Sequence, residues 1–143
     1  MTDAAPDVAR TAADLRLALG RLVRQVRREA SLLPIGQAAV LGHLDRTGPM
    51  TTSDLAAAER VRPQSMARTV ALLVGLGLVE QAPHPTDGRK ILVSASAAGR
   101  AALEDQRERR AGWLAEAIAE KLTPAEQKTL ASSVALLGRL TER

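Results

Sequence analysis

The stretch Val61–Ser94, VRPQSMARTVALLVGLGLVEQAPHPTDGRKILVS, limits what this chain can fold into more than any other part of it. Arg62-Pro63 reads as a helix start, because proline at the first helical position gives up an N–H that has no partner there anyway. A helix over 63–76 follows, and Gly77 is the residue type that takes the left-handed conformation just past a helix end. At about 100° per residue, Gln64, Ser65 and Arg68 share one side of that helix, and Met66, Val70, Leu73 and Val74 take the other. Leu78–Ala82 and Lys90–Ser94 read as short strands, with valine and isoleucine set between turn signals. Pro83-His84-Pro85-Thr86-Asp87-Gly88-Arg89 joins them, with Asp87-Gly88 as its turn dipeptide.

A helix with one buried and one polar face, followed at once by a hairpin with a basic tip, is the plan of a winged helix-turn-helix. The polar residue types suit base edges in a major groove: arginine pairs with guanine O6 and N7, glutamine with adenine N6 and N7, and serine with either. At the hairpin tip, Asp87 is placed to brace Arg89 by an ion pair, and a braced arginine suits a narrow, A·T-rich minor groove. Each feature taken alone also fits a plainer reading, a solvated helix face and a solvated turn. The candidate DNA-binding set is Thr52, Ser53, Arg62, Gln64, Ser65, Arg68, Thr69, Asp87, Gly88, Arg89 and Lys90.

The rest of the chain reads as helices. The first covers 8–31, where Leu15, Leu19, Leu22, Val23, Val26 and Ala30 form an apolar stripe. Arg16, Arg21, Arg24, Arg27 and Arg28 occupy another arc, which is either a solvated face or a surface for phosphates or acidic groups. Pro34 precedes a second helix, Ile35–Arg46, which Gly48-Pro49 ends. Thr51 and Asp54 make a capping box for a short helix over 52–60. Ser96 caps a long helix reaching about Leu122, whose charged middle, Glu104–Arg110, is expected to cross solvent. Thr123-Pro124-Ala125-Glu126 is a full capping box for the last helix, with Leu130, Val134, Leu137 and Leu140 in a stripe. Apolar stripes at both chain ends need a partner, and a second copy is the simplest one.

Composition narrows the function. The 143 residues contain no Phe or Tyr and one tryptophan, Trp113, so the core is aliphatic and suits helix-on-helix packing. The fold class is mainly α (α+β), a single chain over 1–143. It comprises a winged helix-turn-helix lobe over 34–96 and dimerisation helices over 8–31 and 97–141. The net charge of +4 permits a polyanionic partner. A GC-rich coding sequence gives the same arginine bias, so the charge is not counted as support. Without cysteine there is no thiol chemistry, disulfide or Cys-ligated metal. His43 and His84 lie far apart, with no second ligand at helical spacing, so no catalytic residue, metal or cofactor is expected. The acidic start MTDAAPDVAR and the lack of an 18-residue apolar run point to a cytoplasmic protein with no membrane partner.

On these residues the chain resembles the MarR (multiple antibiotic resistance regulator) family of transcription factors over about 8–141. The carriers are Asp87-Gly88-Arg89 ahead of Ile91-Leu92-Val93, the Ser96…Gly99 helix start, Arg68, and the Gly77-Leu78-Val79 exit. The resemblance implies a homodimer closed by the first, fifth and sixth helices, with the fourth helix in the major groove and the wing in the minor groove. It also implies a small-molecule effector. Arg62 departs from the small polar N-cap usual in such sequences, at a cost of about 1 kcal/mol, and Ala95-Ser96 replaces the usual Leu-Thr. The absence of cysteine sets aside the family's peroxide-sensing branch.

The leading reading is therefore a homodimeric repressor on a pseudo-palindromic double-stranded operator, released by a small molecule. A ligand-independent architectural DNA binder and a winged-helix protein-interaction module are the alternatives. Specificity at physiological salt separates the first two, and a flat salt response would mark the third.

Overall fold

Local capping chemistry accounts for most helix boundaries of the chain. The computed structural model describes residues 5–143, leaving out the first four residues of the acidic N-terminal segment. It contains α1 (Val8–Ala30), α2 (Ile35–Thr47), β1 (Met50–Thr51), α3 (Thr52–Glu59), α4 (Pro63–Gly75), β2 (Val79–Pro83), β3 (Ile91–Ala95), α5 (Ala97–Lys121) and α6 (Pro124–Arg139). The class is mainly α with a small antiparallel sheet, as the sequence reading has it. Both capping boxes form: Thr51 Oγ1 accepts the Asp54 N–H, and Thr123 Oγ1 accepts the Glu126 N–H. Arg62 makes no side-chain cap, and Pro63 opens α4.

The end of α4 is a Schellman closure. Gly77 sits at φ +72°, its N–H donates to the Val74 carbonyl, and the Leu78 N–H donates to the Leu73 carbonyl at 2.9 Å. Ser96 then ties the start of α5 to this turn. Its hydroxyl donates to the Gly77 carbonyl at 2.6 Å and accepts the Gly99 N–H at 3.0 Å, while its own N–H donates to the Leu78 carbonyl. Helix and turn come so close that a Cβ on Gly99 would lie 2.0 Å from the Leu78 carbonyl oxygen.

The sheet order is β1-β3-β2. β2 and β3 pair from Val79↔Ala95 to Pro83↔Ile91 and form the wing. β1, which the sequence reading does not contain, pairs through Met50↔Val93 and Thr51↔Leu92. Two residues carry no periodicity of their own, and only β3 makes them a strand.

The chain divides into two compact units. One holds residues 31–108; the other holds 109–143 together with the described part of 1–30. The 31–108 unit owns the core: Val40, Leu41 and Leu44 of α2, Leu55 and Ala56 of α3, Met66, Val70 and Leu73 of α4, Val79, Val93 and Leu103. Val74, expected on the buried face of α4, is instead exposed, because it lies at the edge of the apolar arc. The charged middle of α5 does not simply cross solvent either. Gln106 is buried, and its Oε1 accepts the N–H groups of Leu32 (3.2 Å) and Leu33 (2.9 Å). In the other unit, Ala30 is the one buried residue among those described.

Two substitutions test this packing. Gly99→Ala must push α5 off Leu78 and is expected to lower unfolding free energy by at least about 3 kcal/mol. Gln106→Leu leaves two N–H groups unpaired and should cost about 2 kcal/mol. Denaturant unfolding checks both, with an exposed control such as Glu104→Gln expected within about 0.5 kcal/mol of the parent protein.

Candidate nucleic-acid interface

α4 is amphipathic across its first two turns. Met66 and Val70 pack into the core, while Arg62, Gln64, Ser65 and Arg68 are exposed. Thr69 is half-buried, and its hydroxyl donates to the Ser65 carbonyl at 3.2 Å. That bond occupies its one donor, and its oxygen can still accept. α3 packs against α4 and against the sheet, and its first turn carries Thr52 (half-buried) and Ser53 (exposed).

The wing is ordered by its own polar atoms. Its ends close through the His84 N–H to the Lys90 carbonyl, and the Lys90 N–H to the Asp87 carbonyl, both at 3.0 Å. Asp87 Oδ1 accepts the Arg89 N–H at 3.1 Å and faces Arg89 Nε at 3.4 Å, the brace expected from sequence. Asp87 is partly buried whereas the Arg89 side chain is 92% exposed, so the pair aims the guanidinium into solvent rather than adding much stability. Lys90 and Gly88 are exposed beside it.

Sequence reasoning placed His84 only as a wing loop residue. Its Nδ1 accepts the N–H groups of Thr86 (3.2 Å) and Asp87 (3.1 Å), so it shapes the turn that presents Arg89. The spacing of a histidine two and three residues before those N–H groups was the available signal. His43 is likewise engaged: its Nε2 meets Glu59 Oε1, joining α2 to the end of α3. Their separation of 16 positions hid that pairing from any helical-spacing argument.

The start of α3 and the wing meet at one groove, lined by Thr51–Asp54 on one side and Arg89, Lys90 and Ile91 on the other. Thr52 and Ser53, in the first turn of α3, thus line the same groove as Arg89 and Lys90. Such an arrangement favours an anion, with Asp54 as its one opposing charge. Hydrogen bonds from the Thr51 side chain, and then from its backbone N–H, hold the Asp54 carboxyl below its ordinary value; the charge of Lys90 acts in the same direction. No cluster of three or more His, Cys, Asp or Glu with metal-binding geometry occurs among the described residues. Within the same span, no helix is long and apolar enough to cross a membrane.

The sequence model of the MarR family matches residues 32–90. An HTH-type transcriptional regulator of Mycobacterium tuberculosis is 43% identical over 136 residues, covering 94% of each chain. Among solved structures, a transcriptional regulator of Pseudomonas aeruginosa is 37% identical, covers 92% of this chain and 93% of its own, and superposes with a TM-score of 0.78. A MepR variant from S. aureus, solved bound to an oligodeoxyribonucleotide, shares the fold at 14% identity and a TM-score of 0.67, covering 92% of this chain and 98% of its own.

The lowered Asp54 carboxyl has a pH consequence. A depressed folded value means its contribution is complete above the unfolded carboxylate value and is lost as pH falls through the folded one. The stability difference between the parent protein and Asp54→Asn should therefore be constant above about pH 5 and shrink toward zero below about pH 4. Urea unfolding across that range measures it, and a difference independent of pH would remove the capping carboxylate from the account.

Proposed function

Because the chain belongs to the MarR family of transcriptional regulators, we propose that it works as a homodimeric repressor on a pseudo-palindromic DNA operator, released by a small-molecule effector. The observation that carries the DNA reading is the exposed Gln64, Ser65 and Arg68 face of a helix whose other face is core. Such a face fits a major groove, with Arg68 toward guanine, Gln64 toward adenine and Ser65 beside them. Arg62 at the helix start, and the Thr52, Ser53, Arg89 and Lys90 groove, take phosphates and the adjoining minor groove. Asp87 and Gly88 hold the wing tip rather than touch a base.

The dimer reading rests on the 1–30 and 109–143 unit. Leu19, Leu22 and Val23 of α1 are exposed, as are Val134, Leu136 and Leu140 around α6. α6 has no fully buried residue: Leu130 and Leu137 are half-buried, and Val134 and Leu136 stay exposed, so one chain covers its apolar side only in part. A second copy covers both faces and sets two reading helices about 10 bp apart. The repressor and effector elements rest on the family alone.

Arg68→Ala is expected to lose about 1–3 kcal/mol of binding at one base position of each half-site. Arg89→Ala should weaken binding and relax the preference for A·T-rich flanks. Fluorescence anisotropy on duplexes selected from a randomised pool, repeated across salt, reads both, and affinity should fall steeply as salt rises. If both variants bind like the parent protein, or binding ignores salt, the DNA-contact assignment fails. For the dimer, the double variant Leu22→Glu/Val134→Glu should sediment as a folded monomer; a parent protein already monomeric at micromolar concentration overturns the dimer.

A further inference from the structure

We propose that Leu72 is a specificity residue that reads the 5-methyl group of a thymine in each half-site, beside the base pair met by Arg68. The inference rests on the DNA reading above and deepens it.

Leu72 lies one turn beyond Arg68, about 40° around the helix from it, and so continues the outward face. It is 59% exposed, whereas the following residue, Leu73, is fully buried. A lone exposed leucine is ordinary on a protein surface. Its surroundings here are not, because beyond Thr69 the chain carries no polar side chain until Glu80. The outward surface of the third turn is Ala71, Leu72 and Gly75, all exposed and none able to hydrogen-bond through a side chain. If that turn enters a major groove, it can discriminate bases through apolar contact alone. The thymine methyl is the apolar group that base edges present there.

Distance selects Leu72 over its neighbour. Ser65 to Leu72 spans about 10 Å of helix axis at 1.5 Å per residue, within a groove about 12 Å wide. Leu76, exposed to the same degree, lies about 16 Å from Ser65 along the axis. That places it past the groove edge, over the sugar-phosphate backbone, where an apolar side chain gains nothing.

The full-length protein is first used to select a duplex from a randomised pool, and each thymine of that duplex is then replaced singly by deoxyuridine, which removes only the methyl. The parent protein should show one position per half-site where the replacement weakens binding about fourfold, the effect of one buried methyl. Leu72→Ala should bind the unmodified duplex that much more weakly and lose sensitivity at that position. Leu72→Met should keep the sensitivity, and Leu76→Ala should match the parent protein throughout. Identical deoxyuridine profiles for the parent protein and Leu72→Ala overturn the proposal. So does a Leu72→Ala protein whose sedimentation changes while its profile does not, which assigns the side chain to a protein contact. A pool that yields no enriched duplex overturns the DNA reading itself, and this inference with it.

Discussion

The hydroxyl of Ser96 holds the point on which the 31–108 unit depends. It donates to the carbonyl of Gly77, accepts the N–H of Gly99, and sits on a residue whose own N–H reaches the carbonyl of Leu78. The end of α4, the root of the wing and the start of α5 thereby converge on one side chain, itself buried. A buried hydroxyl is tolerable only when fully bonded, and this one is bonded in both directions. The close approach at Gly99 follows from the same knot, since the carbonyl that receives the Ser96 N–H occupies the space where a Cβ would go. The outward face of α4 and the direction of the wing are therefore fixed relative to each other by one short, buried side chain and the backbone groups it meets, not by long flexible side chains.

The two units reach stability by different means. Residues 31–108 bury leucines, valines and a methionine from six elements and a Gln106 amide bonded to the turn before α2. The helices of the other unit bury Ala30 alone among the described residues, while leucines and valines of α1 and α6 remain exposed. In that unit even Arg110 feels its surroundings: burial first, and then the nearby charge of Arg27, draw its guanidinium below the ordinary value. Helices with such faces gain most of their stability from packing rather than propensity. The homodimer proposed above supplies that packing.

Much of this architecture was legible because it is locally encoded. Thr51 with Asp54, Thr123 with Glu126, Pro63, Gly77 and the cap that Ser96 places on the Gly99 N–H each act on backbone groups within four residues, so their positions announce the helix boundaries directly. The Asp87 brace on Arg89 is equally local. What escaped was long-range. β1 exists only because Met50 and Thr51 find β3; Gln106 is buried only because Leu32 and Leu33, more than seventy residues earlier, present their N–H groups to it. His43 meets Glu59 across two helices. Val74 shows the limit of a helical wheel, which gives the angle of a residue but not how far around the helix its neighbours reach.

By itself, then, the sequence determined the order of elements, the polar and apolar sides of α4, the basic turn of the wing and the family to which they belong, because caps, turn residues and periodicity act through neighbouring backbone. Only the tertiary structure decided that Thr52 and Ser53 share a groove with Arg89 and Lys90, that His84 shapes the wing, and that Leu72 stands exposed in line with Arg68. Each of these depends on which surfaces the core leaves uncovered, and that follows from packing between elements distant in the chain.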